Sequence, residues 1–214
     1  IYDRNHKLIV DNEVVKTILY EKQTGVTTSE EIENAYILSD LIDVPFNKLT
    51  VDMLKTFWIK NNENKAKEKI TSSEWQQLEE RKITSVDIDK LKMERITEED
   101  LSSYNERDKE AAYIYYLMNK GYSYSEKIIK NKDVTDEEYA LVASSNLKGF
   151  ETRLDWNRSY LYGNTFRSIL GSVSNTETGI PADLKDYYLN QGYKLNDRVG
   201  TSYIEYVYDR YLRG

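Results

Sequence analysis

The sequence predicts an α+β fold in which the two chain ends form a β-rich stem and a helical insertion lies between them. Three observations predict it. β-branched and aromatic residues are frequent in residues 1–22, which favours strands. Residues 28–147 contain one Gly and one Pro but several helix-start signals. Seven of the nine Gly lie at position 149 or later. Segregated strand and helix signals of this kind are typical of α+β architecture.

The first segment, residues 1–27, reads as extended structure. Asn5 and His6 stand where a hairpin would turn, and Asn tolerates left-handed backbone. The following strand-forming residues are Val14, Val15, Ile18, Leu19 and Tyr20.

The middle, residues 28–147, is predicted to hold five to seven helices. Thr28, Thr97 and Thr135 each supply an N-cap hydroxyl, and a Glu three residues after the first and the third completes a capping box. Apolar residues at helical spacing then predict one helix from Thr97 to a C-cap at Gly121.

The last segment, residues 148–214, mixes both signals. Residues 150–157 alternate between apolar and polar side chains, which predicts a strand. Short helices are expected at 165–170 and from Pro181 to Gly192. A capping box at Ser202 opens a last helix, whose apolar face is Tyr203, Val207, Tyr208, Tyr211 and Leu212. Residues 1–27 and 148–214 would form the discontinuous stem of a single region, residues 1–214.

Composition excludes several classes of function. The net charge of −7 argues against nucleic acid as a partner. The absence of Cys excludes disulfides and cysteine metal sites. No apolar run approaches the roughly 18 residues of a membrane span. The 19 Tyr suit both shallow cores and interfaces, and core packing is the default for the tyrosine-rich helices.

Candidate catalytic and metal-binding residues are few. Ser145 and Lys148 match Ser-x-x-Lys, but a chain with 16 Ser and 20 Lys contains such a match by chance. His6, the only histidine, reads as an exposed turn residue, and the acidic residues that follow Thr97 suit a helix N-terminus. We therefore expect no catalytic residue, no cofactor and no metal.

Three stretches resemble class B penicillin-binding proteins of low-GC Gram-positive bacteria. IYDRNHKLIVDN at 1–12 is similar to the family's first motif, RG-x-I-x-DR-x-G-x-x-L, with His6 in place of Gly. DWNRSYLYGNT at 155–165 is similar to the second, centred on R-x-Y-P, with Leu161 in place of Pro. NDRVGTSYIE at 196–205, with Tyr208 and Leu212, is similar to the third, G-x-x-G-x-E-x-x-Y with a trailing L-x-G.

The resemblance implies the N-terminal pedestal, or dimerisation domain, of such a protein. Family members have one transmembrane helix, an elongated extracellular pedestal and a C-terminal transpeptidase domain that cross-links peptidoglycan. The chain is then expected to be non-catalytic and to lie on the extracellular face of the cytoplasmic membrane, behind an upstream transmembrane helix. Implied partners are its own transpeptidase domain, a polytopic membrane glycosyltransferase, other cell-wall synthesis proteins and a second copy in a homodimer.

The charged residues of these motifs are the candidate site. Arg4, Arg158 and Arg198 could make exposed ion pairs worth at most about 1 kcal/mol each. Our hypothesis is instead a partly buried network with Asp3 and Glu205 that fastens the chain ends together. The expected structural or interface motif is Asp3, Arg4, Arg158, Tyr160, Arg198, Gly200, Glu205 and Tyr208.

Two other functions stay open from the sequence. One is an independent extracellular module that binds cell-wall glycan or peptide, which would need an aromatic-lined cleft with converging polar groups. The other is a small hydrolase, which would need two carboxylates across a cleft with one of them in an apolar setting.

Overall fold

The computed structural model describes residues 1–175 and 178–212. Helices and a sheet both occur, which confirms the predicted α+β class. The chain forms two compact units. The terminal unit comprises Ile1–Val15 with Leu154–Gly214, and the central unit comprises Lys16–Arg153. The stem and insertion predicted from the sequence have other bounds than these units and stay a prediction.

A three-stranded sheet has the order β2-β1-β3. The strands are β1 at Val10–Tyr20, β2 at Lys127–Lys130 and β3 at Phe150–Tyr160. β1 and β2 are antiparallel, with Ile18 opposite Lys130 and an irregularity before Leu19. The sequence did not predict β2, because a four-residue strand with buried lysines at both ends shows no apolar periodicity.

The predicted turn before β1 is present. Tyr2 and Leu8 form an antiparallel bridge around it. His6 adopts a φ of 59°, and Asp3 Oδ1 accepts hydrogen bonds from the backbone N–H groups of Asn5 and Lys7 at 2.8 Å. The Asp3 side chain therefore holds a turn in which His6 takes a left-handed conformation that suits Gly better.

Eight helices lie between residues 28 and 147, one more than the largest number predicted. They are α1 Thr28–Leu41, α2 Val51–Asn61, α3 Glu63–Glu68, α4 Ser72–Glu79, α5 Ser85–Arg95, α6 Glu98–Leu101, α7 Glu106–Asn119 and α8 Asp136–Ser144. The single helix predicted from Thr97 to Gly121 is wrong. The helix ends with α6 and a new helix begins at Glu106, because the Asn105 side chain caps it by accepting a hydrogen bond from the N–H of Asp108.

The predicted capping box at Thr135 and Glu138 is confirmed, whereas the one at Thr28 is displaced by one residue. Thr27 caps α1 with Glu30. Glu31 instead turns into the core, where it is 1% exposed and accepts a 2.9 Å hydrogen bond from the Tyr20 hydroxyl. The main core of the central unit includes Ile18, Tyr20, Leu38, Phe57, Ala111, Ile114 and Met118.

The terminal unit has its own small core and only short helices. Its helices are α9 Arg167–Leu170, a 3-10 turn at Ala182–Leu184, α10 Lys185–Leu189, α11 Tyr203–Val207 and α12 Asp209–Leu212. The buried cluster is Ile180, Tyr188, Tyr193 and Val199. Within the described ranges, no helix combines the length and the apolar character that crossing a bilayer requires.

The last helix differs from its prediction in two ways. It is split into α11 and α12, and the Ser202 hydroxyl makes no capping bond with α11. The hydroxyl oxygen accepts a hydrogen bond from the Ser172 N–H at 3.2 Å instead. Most of the predicted apolar face is exposed to solvent, as Tyr203, Val207, Tyr208 and Tyr211 all are.

Candidate functional site

A buried ion pair between β3 and α11 is the centre of the candidate site. Arg158 Nε lies 3.0 Å from Glu205 Oε1, and the Arg158 Nη2 group donates to Glu205 Oε2 at 3.1 Å. The Glu205 side chain is 1% exposed and the Arg158 side chain 10%. Nε and Oε1 pair by charge and lack hydrogen-bond geometry. A buried ion pair stabilises weakly by itself, but removal of one partner leaves a costly lone charge.

Arg158 also reaches the first segment of the chain. Its Nη1 group donates to the Asn12 side-chain oxygen at 2.5 Å. One guanidinium therefore connects β1, β3 and α11, three segments of the terminal unit. The guanidinium of Arg has five N–H donors in a planar fork, so it can bind acceptors on two different segments at once.

A hydrogen bond between Gly200 and Asp209 joins the loop before α11 to the start of α12. The Gly200 N–H donates to Asp209 Oδ1 at 2.6 Å, and the Tyr193 hydroxyl donates to Asp209 Oδ2 at 2.5 Å. A Cβ on residue 200 would lie 1.9 Å from the Glu205 carbonyl oxygen. Only Gly permits this approach, and the approach brings the loop before α11 against the backbone of Glu205.

Arg198 forms a second cluster with the Trp156 ring. Its Cζ lies 4.1 Å from the ring centroid, and Arg158 Cζ lies 5.0 Å from the same centroid. Arg198 donates to the Ser174 carbonyl at 3.1 Å, to Asp155 Oδ1 at 3.3 Å and to the Trp156 carbonyl. Contacts of a guanidinium with an aromatic face strengthen as water is excluded.

The remaining motif residues lie outside this cluster. Tyr160 donates to the Gly171 carbonyl at 3.0 Å, stacks with Arg167, and has its pKa raised by burial. Asp3 serves the turn near His6 and pairs with none of the three arginines. Arg4 is exposed and has no hydrogen bond or ion pair within residues 1–175 and 178–212. Tyr208 is 53% exposed.

The structure therefore joins Arg158, Glu205 and Gly200, and it leaves out Arg4 and Asp3. Sequence reasoning missed Asp209, since nothing distinguishes it from the many exposed acidic residues of the chain. Asn12 carried a signal because it lies in the first motif.

The other candidate groups have structural partners. The Ser145 hydroxyl donates to the Val142 carbonyl at 2.8 Å, and the exposed Lys148 ammonium lies 3.8 Å from Glu30. These contacts give Ser145 no base to activate it. In the part of the chain that the structure describes, no three His, Cys, Asp or Glu side chains are grouped as metal ligands would be.

An acidic cleft in the central unit was not predicted. It has a volume of about 450 Å³ and is lined by Ser39, Asp40, Leu41, Ile42, Asp43, Glu110, Glu137, Glu138 and Leu141. Burial raises the pKa of Glu110. Burial also acts to raise the pKa of Glu138, but hydrogen bonds from Lys130 and from the Thr135 and Asp43 N–H groups lower it overall.

A carboxylate pair with opposed pKa shifts resembles an acid–base pair, so its hydrogen bonds decide the interpretation. Glu110 Oε1 accepts the Val44 N–H at 2.5 Å, and Glu138 Oε1 accepts the Asp43 N–H at 3.0 Å. Both carboxylates therefore hold the backbone that follows α1. We interpret the cleft as a backbone clamp, and the hydrolase hypothesis gains no support from it.

Comparison with known proteins gives consistent matches. The family model described as Penicillin-binding Protein dimerisation domain matches residues 1–214. Penicillin-binding protein 2A of Bacillus subtilis (strain 168) is 40% identical over 216 residues, covering 100% of this chain and 30% of that protein. Penicillin-binding protein H of the same organism is 31% identical over 241 residues, covering 99% of this chain and 34% of that protein.

A solved structure shares the fold. Penicillin-binding protein 2B from Streptococcus pneumoniae (strain R6) matches with a TM-score of 0.70 and 27% identity, covering 97% of this chain and 32% of that chain. The chain spans about a third of the length of the relatives that it matches.

Proposed function

Because the chain belongs to the family of penicillin-binding protein dimerisation domains, we propose that it is the non-catalytic pedestal of a class B penicillin-binding protein. The parent protein would be a serine-type DD-transpeptidase that cross-links peptidoglycan in bacterial cell-wall synthesis. The pedestal would set the position of the transpeptidase domain and offer surfaces to membrane partners. The observation that carries the proposal is the family match over residues 1–214 together with relatives about three times as long.

The geometry of the terminal unit supports a mechanical role. The guanidinium of Arg158 binds both Asn12 and Glu205, which are far apart in the sequence. A buried network that connects three segments of the chain restricts their movement relative to one another. Such rigidity is what a support for a separate active site needs.

Localisation and partners follow from the same proposal. The parent would be anchored by an upstream transmembrane helix, with this chain on the extracellular face of the cytoplasmic membrane. A polytopic membrane glycosyltransferase, other cell-wall synthesis proteins and a second copy of the chain are the partners we propose for it. Exposed aromatic side chains support partner docking, since Tyr is enriched at interfaces and Tyr122 is 87% exposed.

A domain exchange tests this function. In cells depleted of the native protein, residues 1–214 of the full-length gene product are replaced either by the matching region of the Bacillus subtilis relative or by an unrelated soluble domain. We expect both hybrids to be acylated by a fluorescent β-lactam, because the pedestal takes no part in the chemistry. Only the first should restore growth, because only it positions the active site and binds the partners.

Two results would contradict the proposal. Loss of acylation in the hybrid with the unrelated domain would show that the chain takes part in catalysis. Restored growth with the unrelated domain would show that any spacer suffices.

A further inference from the structure

The loop between α7 and β2, in the central unit, carries two exposed tyrosines. It comprises residues 120–126, whose sequence is KGYSYSE. Tyr122 is 87% exposed and Tyr124 is 65% exposed. An exposed loop tip usually carries small polar residues, so two solvated aromatic rings within three residues indicate a surface that a ligand covers.

The buried ammonium of Lys127 holds the backbone of this loop. Its Nζ group donates to the Ser125 carbonyl at 2.6 Å, to the Ser125 hydroxyl at 2.7 Å and to the Tyr122 carbonyl. The Ser125 hydroxyl in turn donates to the Tyr122 carbonyl at 2.9 Å. Lys127 is 4% exposed, and its desolvation lowers the pKa of its ammonium. Because a buried charge is costly unless acceptors bind it, the loop is held in the conformation that supplies these acceptors.

The two rings therefore project from a preformed backbone. A preformed loop loses little conformational freedom when it binds a ligand. Tyrosine provides a large contact area with only two side-chain torsions, and serine provides adaptable hydrogen bonds, which is why recognition loops are rich in both. The alternation of Tyr and Ser from 122 to 125 has this composition.

An aromatic ring suits a protein surface as well as a sugar, so the neighbouring groups decide between these ligands. The core of a protein–protein interface is apolar and poor in charged residues, whereas residues 120–126 include no aliphatic side chain. Glu126 instead forms a bidentate ion pair with Arg153 beside the loop, at 3.0 and 2.7 Å, and the Arg153 side chain is 48% exposed. Ser123 is exposed between the two rings.

A pyranose has the chemistry that matches these groups. Its C–H face packs on an aromatic ring, and its hydroxyls both donate and accept hydrogen bonds. Exposed rings with hydroxyl, guanidinium and carboxylate groups around them therefore favour a sugar over a protein.

We propose that residues 120–126 bind the glycan strand of peptidoglycan, an inference that rests on the function proposed above. The rings of Tyr122 and Tyr124 pack on N-acetylated sugars, and Ser123 with the Arg153–Glu126 pair forms hydrogen bonds to the sugar hydroxyls. The contact holds the linked active site near the strand whose peptides it cross-links. A weak site suffices for this, because a polymer presents the same sugars many times along its length.

An NMR titration tests the glycan site. Glycan strands freed of their peptides by an amidase are added to the 214-residue chain, and backbone amide shifts are followed. We expect shifts at residues 121–126 and at Arg153, with an apparent Kd of about 1 mM or lower. The amide of Tyr2, a residue of the terminal unit that is 64% exposed, is the internal control and should not shift.

Four variants add a second measurement. Y122A and Y124A should each weaken binding about tenfold, because each removes a ring on which a sugar packs. Y122F keeps the ring and should bind more tightly than Y122A. Y2A is the matched control and should bind as the parent chain does. Because all three positions are exposed, no variant should lower the melting temperature by more than about 2 °C.

The possible failures are distinguishable. If glycan strands shift no amide in 121–126 while the full-length gene product is still acylated by a fluorescent β-lactam, the glycan site is overturned and the pedestal function stays intact. Equal binding by Y122A, Y124A and Y2A would also overturn the site. Shifts caused by the released peptides or by a higher chain concentration, and not by glycan, would overturn it in favour of a peptide or a second copy. A full-length product that no β-lactam acylates would overturn the pedestal function itself.

Discussion

At the scale of single residues, the Arg158–Glu205 pair makes the clearest prediction. R158A leaves the Glu205 carboxylate buried without a counter-charge and should destabilise the terminal unit by about 3–5 kcal/mol. The control is R107A, because Arg107 pairs with Asp40 at 2.6 Å with both side chains about half exposed. An exposed pair contributes only about 0–1 kcal/mol.

Urea unfolding followed by tryptophan fluorescence measures both variants. Equal losses of stability in R158A and R107A would show that burial adds nothing to the Arg158–Glu205 pair.

Gly200 makes the second prediction at this scale. In G200A the new methyl group would meet backbone atoms of Glu205 at 1.9 Å, and backbone cannot rotate away as a side chain can. We expect a loss of about 3 kcal/mol or more, at or beyond the upper end for overpacking. The control is G163A, where φ is 57° and no atom lies within 4 Å of the added Cβ. Its loss should be about 1–2 kcal/mol from the left-handed backbone alone.

Thermal unfolding of the two glycine variants decides between these values. A G200A protein as stable as G163A would mean that the loop before α11 does not need this close approach to Glu205.

At the scale of elements, the two carboxylates that hold the end of α1 should respond oppositely to pH. The pKa of Glu138 is lowered from 4.5, so it stabilises the fold above that value, and the contribution is lost as pH falls through its folded pKa. The pKa of Glu110 is raised from 4.5 by burial. Its contribution is present below that value and is lost as pH rises through its folded pKa.

The variants E138Q and E110Q test these signs. E138Q leaves the buried Lys130 ammonium without its carboxylate, so it should lower the free energy of unfolding at pH 7. It should also make that free energy decrease less as the pH falls. E110Q keeps an oxygen that accepts the Val44 N–H and removes a partly buried charge, so it should leave stability at pH 7 unchanged or raise it. Urea midpoints between pH 3 and pH 8 would contradict the assignment if both variants moved them in the same direction.

Capping shows how far sequence predicts single elements. Thr135 and Glu138 correctly predicted the start of α8, because one hydroxyl and one carboxylate have the spacing that a capping box requires. At α1 two pairs compete, Thr27 with Glu30 and Thr28 with Glu31. Glu31 instead accepts a hydrogen bond from the Tyr20 hydroxyl and pairs with the Lys22 ammonium at 2.8 Å, tertiary contacts that spacing cannot reveal.

At the scale of the whole molecule, the α+β class was predictable because strand and helix signals are segregated along the chain. The pairing of Arg158 with Glu205 could be predicted from the motifs, because both residues lie in motifs although 47 positions separate them. The acidic cleft could not be predicted from the sequence. Glu110 lies 66 positions from Val44 and Glu138 lies 95 positions from Asp43, the residues whose backbone N–H groups they accept, and no motif connects them.

We propose that this chain supports a transpeptidase and performs no transpeptidation itself. Covalent labelling by a fluorescent β-lactam tests it most directly, with the isolated 214-residue chain and the full-length gene product treated side by side. We expect a labelled band for the full-length product, lost when that product is heat-denatured beforehand, and no band for the isolated chain. A labelled band for the isolated chain, or none for the native full-length product, would contradict it.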